Sequence, residues 1–350
     1  MTWGTRATWR VAAAAVAGLL AASLTACGAS AGGSGDSPDQ LTLYNGQHEQ
    51  TTQALVDAFE KQTGIKVTIR SDDEDVLVQQ IGQEGSRSPA DVIYTENSPA
   101  LERLQDNHLL APVGASTLAS VPSRYSSPSG DWVGVSARVA VLDYNTTRLS
   151  PAQLPSSVMQ LASPKWKGKI GLAPQETDFQ PIITSIARAH GTAAALAWLK
   201  GVKANAGNDL YPDNETLTSK INSGQVEIGL INHYYWYRLR EQVGAAAMHS
   251  ALHYFAPGDP GYVIDVSGAG VLASSAHKAA AQKFLAFLTS AAGQRILVHS
   301  DSWEYPLRPG VAAEAGLTPL AQLKPDTSDT IADLGDGSTA LSLLQQAQLG

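Results

Sequence analysis

Residues 231–239 read INHYYWYRL, so three of the chain's 11 tyrosines, Tyr234, Tyr235 and Tyr237, fall within four positions. Two readings fit. Aromatic rings between His233 and Trp236 can fill a core, each burying a large apolar face behind one polar tip. Adjacent phenols can also be aimed at a hard cation. Phenolate concentrates charge on one oxygen, and two phenolates with one carboxylate neutralise a trivalent ion such as Fe(III). Zinc sites favour cysteine and histidine, and calcium sites favour carboxylates and carbonyls. A free phenol titrates near pH ~10, so such an ion must displace two protons, and its binding weakens as pH falls.

Chemistry of the same kind stands at two other places. Tyr44-Asn45-Gly46-Gln47-His48 ends one strand-like run, and Tyr94-Thr95-Glu96 follows another, Asp91–Ile93. The tyrosine pair follows the apolar run Val226–Ile231. In open α/β sheets, ligands gather beyond the carboxyl ends of strands. Neighbouring side chains point to opposite faces of a strand and diverge by about 100° on a helix. Tyr234 and Tyr235 can therefore share a ligand only from a loop or a first helical turn. Four donors, His48, Glu96, Tyr234 and Tyr235, leave two octahedral positions for water or a small anion.

The elements that must position these groups are legible as alternation. Leu41–Tyr44, Val67–Ile69, Asp91–Tyr94, Lys169–Leu172 and Val226–Ile231 read as strands. Gln50–Thr63, Phe179–Ala189, Ala193–Lys203 and Lys278–Thr289 read as helices. Ser71-Asp72-Asp73-Glu74 fits a capping box opening a helix that carries Val76, Val78 and Ile81. The acids of 72–75 suit a first helical turn better than a calcium loop, because their spacing is wrong for the latter. Such alternation predicts parallel sheets covered by helices. Asp333 and Asp336, in the tail of helical pieces beyond Thr318, read as turn residues.

The amino terminus has a different character. Arg6 and Arg10 precede the short apolar run Val11–Leu24, and Leu24-Thr25-Ala26 leads to Cys27, the only cysteine of the chain. Residues 1–26 read as an export signal, the run being shorter than the roughly 20 residues that span a membrane. Leu-Thr-Ala-Cys resembles a lipobox, which makes Cys27 an acylated anchor and residues 27–38 a flexible tether. Gly28-Ala29-Ser30-Ala31-Gly32 matches the nucleophile-elbow pattern, but no strand precedes it and the match carries no chemistry. The remaining residues, about 310, predict two lobes. The chain holds 24 basic against 32 acidic residues, and Arg6 and Arg10 leave with the signal, so nucleic acid is a poor partner.

The motifs YNGQH (Tyr44–His48), SPADVIYTE (Ser88–Glu96), PKWKGKIG (Pro164–Gly171), GLINHYYW (Gly229–Trp236) and EYPL (Glu304–Leu307) stand in an order that resembles the ferric-ion-binding proteins of bacterial ABC importers. That resemblance implies a two-lobe, type II periplasmic-binding-protein fold in the α/β class, each lobe a mixed sheet flanked by helices with the ligand cleft between. It implies iron(III) held by His48, Glu96, Tyr234 and Tyr235, and delivery of the ion or a ferric chelate to an ABC permease without catalysis. The expected lobes are 39–138 with 267–312, and 139–266 with 313–350, in a monomer tied by its lipid to the outer face of the cytoplasmic membrane, or periplasmic where the host has an outer membrane. The resemblance also implies a synergistic anion near Asn214, Asn232 and Arg138. Here Glu176-Thr177-Asp178 replaces the small residues that cradle phosphate in relatives, which favours carbonate or water over phosphate. Two roles stay open for that segment: an acid taking the anion's part, or a capping box from Thr177 to Gln180 that turns both acids toward a helix dipole, the preferred reading. Arg138 could likewise hold carbonate or form a salt bridge near the hinge. The same fold carrying an organic anion or a polyamine is the competing expectation.

Overall fold

The computed structural model describes residues 40–325 and 330–350. The expected signal segment, Cys27 and the tether lie outside the described residues, as does most of the Pro325–Asp329 stretch. Among the described residues no helix is long and apolar enough to cross a membrane.

The strands in chain order are β1 (Gln40–Asn45), β2 (Lys66–Ser71), β3 (Val92–Thr95), β4 (Leu110–Ala111), β5 (Trp132–Asn145), β6 (Ile170–Gly171), β7 (Ile228–Asn232), β8 (Ser250–His253), β9 (Ile264–Leu272) and β10 (Tyr305–Pro306). The α-helices are α1 (Glu49–Thr63), α2 (Glu74–Glu84), α3 (Ser98–Asp106), α4 (Ala115–Leu118), α5 (Phe179–His190), α6 (Thr192–Ala206), α7 (Asn214–Asn222), α8 (His233–Val243), α9 (Lys278–Leu288), α10 (Ala291–Val298) and α11 (Ser338–Ala347). The hydrogen-bonded path runs β2-β1-β3-β9-β5-β7-β6. β1, β2 and β3 are parallel, whereas β9 runs antiparallel to both β3 and β5. The sheet is thus mixed where alternation alone predicts parallel pairing, because the chain returns through β9 after completing its second half.

Foremost among the elements that sequence patterning missed is β5. Trp132–Asn145 is buried at every position, so the two-residue alternation that marks a half-exposed strand is absent. Its first half pairs with β9 and β10 through Trp132–Val139, with an irregularity between Gly134 and Ser136. Its second half, Ala140–Asn145, pairs with β7 and β8. One strand therefore belongs to both halves of the sheet, and changes partners beside Arg138.

Local signals near the first site behave less simply. α2 carries Leu77, Val78 and Ile81 inward, while Val76 is exposed. The capping box expected at Ser71–Glu74 does not form: Asp73 is the N-cap and makes no side-chain cap bond. Glu74 turns inward instead, accepting from the backbone N–H groups of Glu96 and Asn97 at 2.8 and 3.0 Å and from Asn97 Nδ2 at 3.0 Å. Tertiary demand overrides the local pattern because two buried N–H groups need an acceptor. Gly46 permits this approach, since a Cβ there would stand 2.8 Å from Glu74 Cβ. Asp336 is a turn residue as expected, its carboxylate accepting from Ser338 N–H at 3.0 Å.

Asp143, in the second half of β5, is wholly buried, and burial pushes its carboxyl up to about 8 against the pull of the Ser250 hydroxyl. Between the ordinary carboxylate range and about 8, the folded chain holds a proton that the unfolded chain has lost, so stability falls as pH rises through that window. Asp143→Asn removes the titration. Its unfolding free energy, read from urea titrations, is expected to decline less than the wild type's between about pH 5 and pH 8, by on the order of 2–4 kcal/mol; parallel profiles would show that Asp143 is ionised throughout.

Candidate metal centre

β1, β3 and β7 end in the three segments that bear candidate donors, and each is followed by a helix. His48 is the N-cap of α1 but makes no side-chain cap bond. Its Nδ1 lies 2.9 Å from Glu96 Oε1, and the ring is also hydrogen-bonded to Gln47. Gln47 Oε1 takes the His48 N–H at 2.7 Å, and its Nε2 donates to Ser267 at 2.8 Å, which anchors the turn. Glu96 is fixed from behind by Glu74, through its own N–H.

The second half-site is built on α8. Tyr234 and Tyr235 occupy its first turn, where two adjacent side chains can converge. Their rings lie 4.3 Å apart, and their hydroxyls both donate to Asp178 Oδ2, at 2.9 and 3.0 Å. The Tyr234 ring meets His48 edge-on at 5.1 Å, bringing the two half-sites together. Among the described residues no three His, Cys, Asp or Glu side chains form a metal-holding group.

Their neighbours in sequence serve the core. His233 Nδ1 accepts from Val139 N–H at 3.4 Å, and its Nε2–H donates to the Trp303 carbonyl at 2.9 Å, which defines a neutral tautomer. Burial pushes its pKa down to about 3. Tyr237 stacks on Trp303 at 4.9 Å and donates to the Gly316 carbonyl. Within the tyrosine cluster, Tyr237 packs, while Tyr234 and Tyr235 turn their hydroxyls to Asp178.

The 176–178 segment departs from the preferred capping-box reading. Asp178 is the N-cap of α5 without a side-chain cap bond. Its carboxylate points at the tyrosines and also takes Asn97 Nδ2 at 3.1 Å. Thr177 Oγ1 accepts from Asn97 Nδ2, and Glu176 accepts from the Asn214 N–H, each at 3.1 Å. Asn214 Nδ2 lies 3.5 Å from Asp178 Oδ2. Asn232 ends β7 and borders the same small space as Asp178. The cap motif fails because Thr177 Oγ1 accepts from Asn97 Nδ2 at 3.1 Å and Gln180 Nε2 donates to Asp75 at 2.9 Å, so neither side chain of the box turns to the helix start.

Arg138 is completely buried where β5 changes partners. It is paired with Glu304, which also receives Ser136 and, at 3.4 Å, Gln47 Nε2. Its Nη1 stands 3.7 Å from Asp178 and 4.0 Å from Glu96, and its guanidinium lies over the Tyr234 ring at 5.4 Å. Of the two roles left open for Arg138, the structure contains the salt bridge. Sequence reasoning gave no role to Glu304, Asn97 or Gln47, and gave Glu74 only that of a capping acid. Glu304 opens the EYPL motif and Gln47 lies within YNGQH, so their signal was present without a partner to interpret it.

The electrostatics follow from burial and these pairs. Burial opposes charge on Glu96, but His48 and then Arg138 outweigh it and hold the carboxyl down to about 2. Burial likewise opposes the imidazolium, yet Glu96 draws the His48 pKa above its ordinary value. Burial, then the charge of Asp178, holds both phenols well above theirs. Burial and Glu96 raise Asp178 despite Arg138, and burial with Asp178 pushes Glu176 up to about 9. Without a cation, the tyrosines are phenols hydrogen-bonded to a carboxyl group.

A two-half mixed sheet with donors converging from the strand ends of both halves is the architecture of an extracytoplasmic solute-binding protein. The profile of that family, bacterial extracellular solute-binding protein, matches residues 87–325, and this chain belongs to it. The chain is 43% identical over 288 residues to the Fe(3+)-binding periplasmic protein of Serratia marcescens, covering 82% of this chain and 85% of that one. It is 41% identical over 332 residues to the major ferric iron-binding protein of Neisseria meningitidis, covering 94% and 97%. Iron-bound HitA from Pseudomonas aeruginosa superimposes with a TM-score of 0.84 at 43% identity, over 88% of this chain and 99% of that one. The fold is accordingly the two-lobe type II arrangement of those ferric-binding structures.

Glu74 gives this site a test separate from metal. Glu74→Ala strands two buried N–H groups and is expected to cost about 2–4 kcal/mol in urea unfolding, with Glu74→Gln recovering part of the loss. A change under about 0.5 kcal/mol would mean that the Glu96–Asn97 turn holds itself.

Proposed function

We propose that this chain captures ferric ion in its cleft and delivers it to the permease of a bacterial ABC importer, with no reaction of its own. The observation that carries this reading is the convergence, at one buried place, of an imidazole, a carboxylate and two adjacent phenols from the strand ends of both halves. Phenolate, carboxylate and imidazole form a hard donor set, and three anionic donors match a trivalent charge. The ligands are His48, Glu96, Tyr234 and Tyr235. The printed names of the relatives from Serratia and Neisseria, and the iron-bound Pseudomonas structure, support the same cargo.

The lobes are 39–138 with 267–312, bearing His48 and Glu96, and 139–266 with 313–350, bearing the tyrosines. An ion that needs both donor sets favours the closed arrangement, because only that arrangement completes its coordination. The closed shape is the one a permease would read. Cys27 anchors the protein by lipid at the outer face of the cytoplasmic membrane, and it works as a monomer on ferric ion or a ferric chelate. Glu176 and Asp178 oppose phosphate at the remaining coordination positions, leaving carbonate, water or a protein group.

The test is optical. Titrating the domain with ferric citrate is expected to raise a visible phenolate-to-iron charge-transfer band. Tyr234→Phe/Tyr235→Phe should abolish that band and lower iron affinity by at least about 100-fold. A domain that stays colourless under all conditions would belong to the same fold with another solute. Loading is also expected to release protons, measurable in weakly buffered solution, because both phenols are protonated beforehand.

A further inference from the structure

We infer that Asp75, Arg103, Gln180 and the corner at Asp336–Gly337 form a latch between the two lobes, outside the donor set, which favours the closed arrangement and slows release of the ion. The inference rests on the proposed lobe division and on the ferric reading of the cleft. Asp75 and Arg103 belong to the first lobe, and Gln180 and Asp336 to the second. Arg103, on α3, donates from Nε and Nη2 to the Asp336 carbonyl at 3.0 and 2.8 Å, and from Nη1 to Asp75 Oδ1 at 3.0 Å. The other oxygen of Asp75 takes Gln180 Nε2, on α5, at 2.9 Å. The ring closes around Gly337: its φ is +78°, and a Cβ there would stand 2.6 Å from Gln180 Oε1 and 3.0 Å from Arg103 Nη2. The bonds to the Asp336 carbonyl and the bond from Gln180 cross from one lobe to the other.

The tail that brings Asp336 to this place travels with the second lobe and meets the first at α3. Arg188 of α5 pairs with Asp333 at 2.9 Å, and α11 lies on α5 and α6. The turn Ile331–Leu334, with Ile331 and Leu334 buried, packs against α3 as well as α5 and β9. Sequence neighbours couple the ring to the site. Asp75 follows Glu74, which holds the Glu96–Asn97 turn, and Gln180 stands two residues beyond Asp178, which takes both tyrosine hydroxyls. The first turns of α2 and α5 thus serve the cleft and the latch at once. A rotation that draws the donors apart also draws α2 from α5, and bonds near 3 Å are lost when partners part by about an ångström. Exposed ion pairs are worth little, but Arg103 and Asp75 keep only 22% and 31% of their side-chain surface exposed, and Gln180 is buried. Each factor by which such a ring favours closure is a factor in apparent affinity, felt mainly in the rate at which the ion leaves.

The experiment compares wild type with Gln180→Glu, which sets a second carboxylate against Asp75, and Arg103→Leu, which removes the guanidinium and keeps an apolar stem. A fourth protein, Asp75→Asn/Gln180→Glu, exchanges donor and acceptor and restores the bond between lobes. Each is loaded with ferric citrate. Release is read from loss of the visible band under excess chelator, closure of the empty protein from its radius of gyration in X-ray scattering, and fold integrity from the urea midpoint. Both single variants are expected to release iron about 10-fold faster, with the band maximum unmoved because the donors are untouched, and to have the larger radius when empty. The exchange variant should return to within about 2-fold of wild type. Single variants that match wild type in both release and radius overturn the latch. Faster release that comes with a lower urea midpoint and is not recovered by the exchange also overturns it, since the cluster would then be structural alone. A wild type without a band in any buffer overturns the ferric reading instead, and the radii then decide the latch.

Discussion

A guanidinium with no access to water sits at the centre of this molecule, and the surrounding structure answers to it. An unpaired buried charge is among the most costly groups a fold can contain. Arg138 is offered Glu304 from beyond α10, Glu96 after β3, Asp178 before α5 and the face of Tyr234 in α8. Burial opposes its charge, and this ring of anions, Glu304 foremost, raises its pKa well above the ordinary value. Elements from both halves of the sheet are thereby tied to one residue on the strand they share. The acids that neutralise Arg138 are at the same time the acids of the cleft. Local charge and the geometry of the site are consequently one problem with one solution.

The same economy governs what stands behind each donor. Glu74 holds the turn that presents Glu96, Gln47 anchors the turn that presents His48, and His233 locks the start of α8 from the side away from the cleft. None of these three belongs to the candidate donor set, yet each fixes a neighbour to within a hydrogen bond. Donors that begin in place need less ordering when a ligand arrives, which is how supporting contacts raise affinity.

Much of this was legible before any coordinates. His48, Glu96 and the tyrosine pair stand out because each follows an apolar run, and a strand end is a position that one sequence can announce. The pairs that complete the site could not be read that way. Glu304 meets Arg138 across 166 residues, and nothing local to either marks the other. Two acids were misassigned for a shared reason. Glu74 and Asp178 each stand beside a helix start, where a capping pattern is the economical reading, and each was drawn inward by buried donors that only the fold assembles. β5 escaped notice through its own success: buried on both faces, it shows no alternation.

The one cysteine of the chain, Cys27, precedes the first described strand, so the folded domain has no thiol. Its maturation therefore needs no oxidative partner, and its stability is independent of the redox poise of the space outside the membrane. The absence also bears on oxidation state. Thiolates favour soft, reduced ions, and a thiol beside a ferric ion could donate an electron to it. A domain whose side chains offer only oxygen and nitrogen donors gives a hard ion no such internal reductant.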